Sequence, residues 1–175
     1  MKPVSEAYKD FPIMHKTHNG KRVIYLDSGA TAQIPQMVID RLVDHMTKHN
    51  GNPHRGSHIL AVEASEAYEN ARDRVVKFIN AKQREEVIFT RNSTESMNLI
   101  AHCYGLNNVK KGDKILITVA EHHANLVTWQ YVANQTGATL EYMYLDDHGH
   151  LKEGELDKID SSTKIVAFAH VSNVL

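Results

Sequence analysis

Four short runs rich in β-branched and aromatic residues, at 87–90, 114–119, 140–145 and 164–169, alternate with stretches of helical character. That rhythm constrains the fold more than any other feature of the chain. Strands separated by helices are joined by right-handed crossovers, which put them side by side and parallel. The intervening helices are expected at 95–104, 125–135 and 152–159, with Gly105 and Gly137 as stop signals. The fold class implied is α/β, a mostly parallel sheet with flanking helices, and the four runs read as one growing sheet.

The part before residue 86 has a different texture. Residues 1–24 form a polar lead-in with a helical patch at 5–8 and a turn at His18-Asn19-Gly20-Lys21, followed by a short strand at 23–26. Pro35 suits the opening of a helix, and Val38, Leu42, Val43 and Met46 then recur on one face. Residues 49–57, rich in Asn, Gly and Pro, read as a loop. A longer helix at 60–78 is expected to turn Val62, Ala67, Ala71, Val75 and Phe78 inward. No repeat or low-complexity linker marks a boundary.

Composition narrows the function classes. The 175 residues are 42% hydrophobic and 23% charged, the range of a globular domain with a buried core. Formal net charge is -1, with neither sign gathered into a block, so neither nucleic acid nor a membrane surface is an expected partner. The start lacks the apolar core of a signal peptide, and the apolar runs are too short to span a bilayer. With Cys103 as the one cysteine, an internal disulfide is excluded and a cytoplasmic location is expected. Twelve histidines raise the question of a metal. The pairs His45/His49 and His54/His58 have helical spacing, yet no Cys-x-x-Cys or His-Glu-x-x-His accompanies them, so no metal site is expected.

The chemistry-bearing residues stand where strands give way to helices or loops, the place where open α/β sheets hold ligands. Arg91-Asn92-Ser93-Thr94-Glu95 follows a run and opens a helix, so free N–H groups, a positive dipole end and two hydroxyls converge in a cradle suited to phosphate. The same residues also fit a plain capping arrangement of Asn92 with Glu95, which needs no ligand. Glu121-His122-His123-Ala124-Asn125 stands at the next strand end, where a histidine can offer a flat ring or carry a proton. Asn173, after His170-Val171-Ser172, can donate its amide to a ligand oxygen, or can serve as an ordinary turn residue. Together the three segments suggest a phosphorylated aromatic cofactor.

Tyr25-Leu26-Asp27-Ser28-Gly29-Ala30-Thr31, His54-Arg55-Gly56, the 91–95 and 121–125 segments and His170-Val171-Ser172-Asn173-Val174-Leu175 occur in the order and spacing seen in cysteine desulfurases. These are pyridoxal-phosphate enzymes of the class V aminotransferase group. The double histidine followed by Ala-Asn, with His-Arg-Gly upstream, resembles the SUF-type branch. The resemblance implies that residues 1–175 are the N-terminal part of the pyridoxal-phosphate-binding large domain, an incomplete part of a type I (aspartate aminotransferase-like) fold, with the rest of that domain and the small domain absent.

Position by position, the resemblance implies that His122 is catalytic, stacking on the pyridine ring and assisting proton transfer. Ser93 and Thr94 would hold the phosphate, and Asn173 the ring hydroxyl oxygen. Ser28, Gly29, Ala30 and Thr31 would border the substrate, with His54 and Arg55 at the site's mouth beside a dimer partner. Family members often carry Gly where this chain has Asn92. The implied reaction takes L-cysteine to L-alanine and leaves a persulfide on an enzyme cysteine, for transfer to a sulfur-acceptor protein of the SUF system in iron–sulfur cluster assembly, by a homodimer. The covalent lysine, the aspartate under the ring nitrogen and the nucleophilic cysteine all follow Leu175 in the family, and Cys103 is expected to be a buried or helix-face residue of no catalytic role. The chain alone is therefore expected to be inactive and to bind pyridoxal phosphate weakly. Two other readings stay open: a selenocysteine lyase or kynureninase-like enzyme, and a non-catalytic fragment that binds a full-length desulfurase subunit.

Overall fold

The computed structural model describes residues 3–172 and 174. The chain forms two compact units, residues 1–88 and 89–175.

In the first unit, a short helix α1 (Val4–Ala7) and two 3-10 turns lead into a hairpin of β1 (Thr17–His18) and β2 (Lys21–Arg22). Asn19 and Gly20, both at positive φ, form its turn. The strand expected at 23–26 is not there: these residues pair with nothing in a ladder, and Leu26 is 90% exposed. Pro35 does precede a helix, α2 (Gln36–Lys48), which ends at the Asn- and Gly-rich loop. Helix α3 (Ile59–Phe78) follows, capped by His58, whose ring accepts the Ala61 N–H.

The face that α3 buries differs from the expected one. Ala61 and Ala64 are enclosed, whereas Val62, Ala71 and Phe78 are exposed. Small side chains there let the 51–58 loop lie against the helix: the His54 N–H donates to Ser65 Oγ at 2.8 Å. An apolar groove of about 540 Å³ lies between α2 and α3, with Met37, Leu42, Ala64 and Tyr68 among its walls. A turn at Arg84–Glu86 is tied back to α3 by two hydrogen bonds from Arg84 to Asp73, at 2.9 and 2.6 Å.

The second unit carries the sheet. Strands β3 (Lys114–Thr118), β4 (Thr139–Met143) and β5 (Thr163–Ala167) are parallel in the order β4-β3-β5. Every residue of β3 is buried, as a central strand covered on both faces requires. Residues 87–90 were expected to add a fourth strand; they form none, and Ile88 is 67% exposed. Helix α4 (Ser93–Ile100) continues through a π-turn, Ala101–Gly105, into α5 (Leu106–Asn108). Gly105 therefore does not stop the helix. Its φ of -55° is helical, and its missing side chain makes room for Val132 and Trp129. Helix α6 (His123–Thr136) does end at Gly137, which takes φ +73° and donates to the Ala133 carbonyl. The expected helix at 152–159 is reduced to one 3-10 turn, Glu155–Lys158. Ile115, Ile117, Trp129, Val132 and Ala101 form the core between β3 and the helices.

Candidate cofactor site at the strand ends

The strand order places a switch point between β3 and β5, because the chain leaves β3 towards β4 on one side and returns to β5 on the other. A cleft of about 360 Å³ opens there, lined by Thr118 and Ala120 at the end of β3, by Leu145 and His148 after β4 and by Ala169 and His170 after β5; Ser93, Thr94 and His122 are not among its walls. That volume falls at the lower end of the range for small-molecule sites.

Asn92 caps α4, its Oδ1 accepting the Glu95 N–H at 2.9 Å. Ser93 and Thr94 are the first two helical residues and both are exposed, so their N–H groups face out at the positive end of the helix. Glu95 reaches towards the N-terminal end of the helix, accepting the Arg91 N–H at 2.6 Å, and its charge is offset by the Arg91 guanidinium at 3.3 Å. The capping reading of this segment is what the structure shows: Asn92 caps the helix, and Ser93 and Thr94 lie exposed beside the cap.

His122 caps α6 with its ring. Nδ1 accepts the Ala124 N–H at 3.1 Å. Since the amide must be the donor, the neutral imidazole carries its proton on Nε2. The ring is exposed, beside that of His123 at 6.3 Å.

Glu121, between β3 and α6, is a residue whose part in the site sequence reasoning does not find. Its Oε1 accepts from the Thr118 hydroxyl and from the Ala169 N–H at 2.8 Å, and its Oε2 from Asn125 Nδ2 at 2.7 Å. Asn125 in turn accepts the Trp129 indole N–H at 2.7 Å. The spacing of four to Asn125 is legible on a helix; the bond to Ala169 is not.

The expected substrate-side residues, Ser28 to Thr31, His54 and Arg55, lie in the first unit. Ser28, Gly29 and Ala30 form a turn, and Thr31 follows it. The Ala30 and Thr31 N–H groups donate to the Asp27 carbonyl, and the Tyr25 hydroxyl donates to the Asp27 and Thr31 carbonyls at 3.0 and 2.7 Å. His54 takes φ +63°, a conformation non-glycine residues seldom adopt, and Arg55 beside it is exposed. The His54 ring is held by Glu69 at 3.2 Å and edge-on to Tyr68. Asn173 lies outside the described residues. Cys103 sits exposed on the π-turn. Among the described residues no cluster of three or more His, Cys, Asp or Glu could hold a metal ion, and no helix is long and apolar enough to cross a membrane.

The family model described as aminotransferase class-V matches residues 24–175. The chain belongs to that family. A probable cysteine desulfurase of Staphylococcus aureus strain Mu50 is 50% identical over 173 residues, covering 98% of this chain and 42% of that protein. A probable cysteine desulfurase of Staphylococcus epidermidis is 49% identical over the same shares. Among solved structures, a cysteine desulfurase from Thermococcus onnurineus NA1 superposes with a TM-score of 0.87 at 38% identity, over 99% of this chain and 41% of that one. The cysteine desulfurase CsdA of Escherichia coli gives 0.79 at 32% identity, over 99% and 42%. The chain thus spans about two fifths of the length of the relatives it matches. The expected fold class, an α/β parallel sheet with flanking helices of the type I pyridoxal-phosphate kind, is borne out. The family's members depend on pyridoxal phosphate.

Proposed function

We propose that residues 1–175 are the first part of the cofactor-binding large domain of a cysteine desulfurase, supplying the phosphate cradle and the ring partner for pyridoxal phosphate. The observation that carries this reading is the α4 start, where the Glu95 charge is paired with Arg91 while Ser93 and Thr94 are exposed. That donor set fits a phosphate monoester. The cofactor, when bound, supplies an electron sink for the substrate's α-carbon.

In this reading the chain's own residues bind, orient and move a proton. Ser93 and Thr94 hold the phosphate through N–H and hydroxyl groups, and Asn173 donates to the ring oxygen. His122 would face the ring with its imidazole and, with its proton on Nε2, could give that proton at the substrate. Ser28, Gly29, Ala30 and Thr31 border L-cysteine, with His54 and Arg55 at the mouth. Sulfur leaves as a persulfide for a SUF-type acceptor protein serving iron–sulfur cluster assembly, and the working enzyme is a cytoplasmic homodimer.

A segment exchange tests this. Residues 3–175, placed in the 50%-identical Staphylococcus aureus relative in lieu of the matching 173 residues, should give a yellow protein that forms alanine from L-cysteine. His122→Ala in that protein should lower turnover by roughly 10²-fold or more if it removes a proton-transfer group. A folded, cofactor-loaded exchange protein that ignores cysteine and acts on selenocysteine or a kynurenine would replace the substrate assignment.

A further inference from the structure

We propose that Glu121 is the positioning residue of this site: its one carboxylate holds the exit of β3, the start of α6 and the chain leaving β5 in a single frame. The geometry rests on hydrogen bonds within the second unit, and its consequence for ligand binding rests on the cofactor reading above. Oε1 receives Thr118 and the Ala169 N–H, and Oε2 receives Asn125. Ala169 is 48 residues away in sequence, so this bond joins the two sides of the switch-point cleft. Glu121 precedes His122 directly, and Ala169 begins the segment whose residues 169–172 line the cleft, so one carboxylate anchors both.

The partners demand an acceptor there. An indole N–H can only donate, and Trp129, 3% exposed, gives its proton to Asn125 Oδ1. That turns the Asn125 Nδ2 donors towards Glu121. With the Thr118 hydroxyl and the Ala169 amide also donating, three donors converge on a group that has only acceptors when ionised. Asn125 and Trp129 are both buried, so a donor facing Nδ2 would leave unpaired polar groups out of water.

This polarity can be reversed by substitution. Glu121→Gln keeps an oxygen for Thr118 and Ala169 but sets two amide NH₂ groups face to face. Adding Asn125→Asp repairs the clash, because the introduced carboxylate accepts from both the introduced amide and Trp129. The three proteins and Glu121→Ala are compared by amide exchange of residues 166–172, by the emission of Trp129, the single tryptophan, and by its quenching with pyridoxamine 5′-phosphate. This probe cannot bond covalently to a lysine.

Loss of a hydrogen bond to a charged group should speed exchange of the Ala169 amide about tenfold or more in Glu121→Ala, red-shift Trp129 and weaken the probe by about tenfold. Glu121→Gln should behave similarly at Trp129 and in probe binding. The double variant should return all readouts to within about threefold of the starting protein, which separates a specific polarity from generic loss of stability. Unchanged exchange and emission in both single variants would overturn the proposal, as would a double variant that is folded by circular dichroism yet restores neither readout. If the starting protein itself shows no saturable quenching, the cofactor reading fails while exchange and emission still decide the role of Glu121.

Discussion

Gly105 faces Val132 so closely that a Cβ built on it would stand 3.1 Å from Val132 Cγ2 and 3.3 Å from Cγ1, with the Trp129 ring at 3.4 Å. Both partners are core residues of α6, so the π-turn and α6 meet through the absence of one methyl group. Gly105→Ala should therefore destabilise the second unit. Overpacking a tight core costs roughly 1–3 kcal/mol, against a gain of roughly 0.5–1 kcal/mol from a helical backbone freed of glycine. Val132→Ala alone leaves a cavity, but combined with Gly105→Ala it should cost less than the two changes summed. Guanidinium denaturation of the four proteins measures this coupling, and strict additivity would remove the steric account.

Lys114 places a charged amine at the buried head of β3, where Asp160 meets it at 2.8 Å and Glu141 at 3.4 Å. The bond from Lys114, seconded by Ser162, holds the Asp160 carboxyl well below the usual carboxylate range, and Asp160 raises Lys114 above the usual amine value. A depressed carboxyl contributes stability that is complete above its unfolded pKa of about 3.9 and is lost as pH falls through the folded value. The raised amine contributes fully below about 10.4 and loses its share as pH rises through its folded value. Melting followed by Trp129 emission should show a plateau between those limits. Asp160→Asn should lower that plateau and flatten the acid limb; an unchanged acid limb would show that the pair does not report on folding.

How far the fold could be read in advance depends on how local its causes are. Pro35 and the 3.6-residue spacing of Val38, Leu42 and Met46 announce α2, and Gly137 announces the end of α6, because each acts within a turn of the chain. The runs at 114–119, 140–145 and 164–169 do pair in one parallel sheet, with ladders over Lys114–Thr118, Thr139–Met143 and Thr163–Ala167. Residues 87–90 have the same β-branched and aromatic texture but no ladder among the described residues, since such texture suits a pleated surface without supplying a neighbour. At 152–159, Gly154 in the left-handed region, φ +82°, leaves room for a single turn only.

The local geometry of the candidate site residues was legible in the same uneven way. Asn92, Ser93, Thr94 and His122 stand where the spacing put them, at helix starts, because caps are set by neighbours in sequence. Glu121 takes its meaning from Ala169 and from the direction of the Trp129 bond, neither of which a linear pattern contains.

Asn92 holds the start of α4 through its side-chain oxygen, which accepts the Glu95 N–H at 2.9 Å. Asn92→Ala should cost about 1 kcal/mol and Asn92→Gly only a few tenths, since glycine at a cap is nearly as well tolerated as asparagine. Denaturant midpoints resolve the two. Equal losses would mean that the side-chain bond is not what holds α4.

The central claim is that the α4 start and His122 receive a phosphorylated pyridine, and phosphorus NMR of pyridoxamine 5′-phosphate titrated with the chain tests it most directly. The account predicts a saturable shift with a dissociation constant of about 1 mM, ~-4 kcal/mol, as suits a ligand held without a covalent bond. His122→Ala should weaken it by roughly threefold to tenfold through loss of the ring contact, and Ser93→Ala with Thr94→Val should weaken it further. A phosphorus signal that does not move, or one that moves identically in all of these variants, would contradict the account.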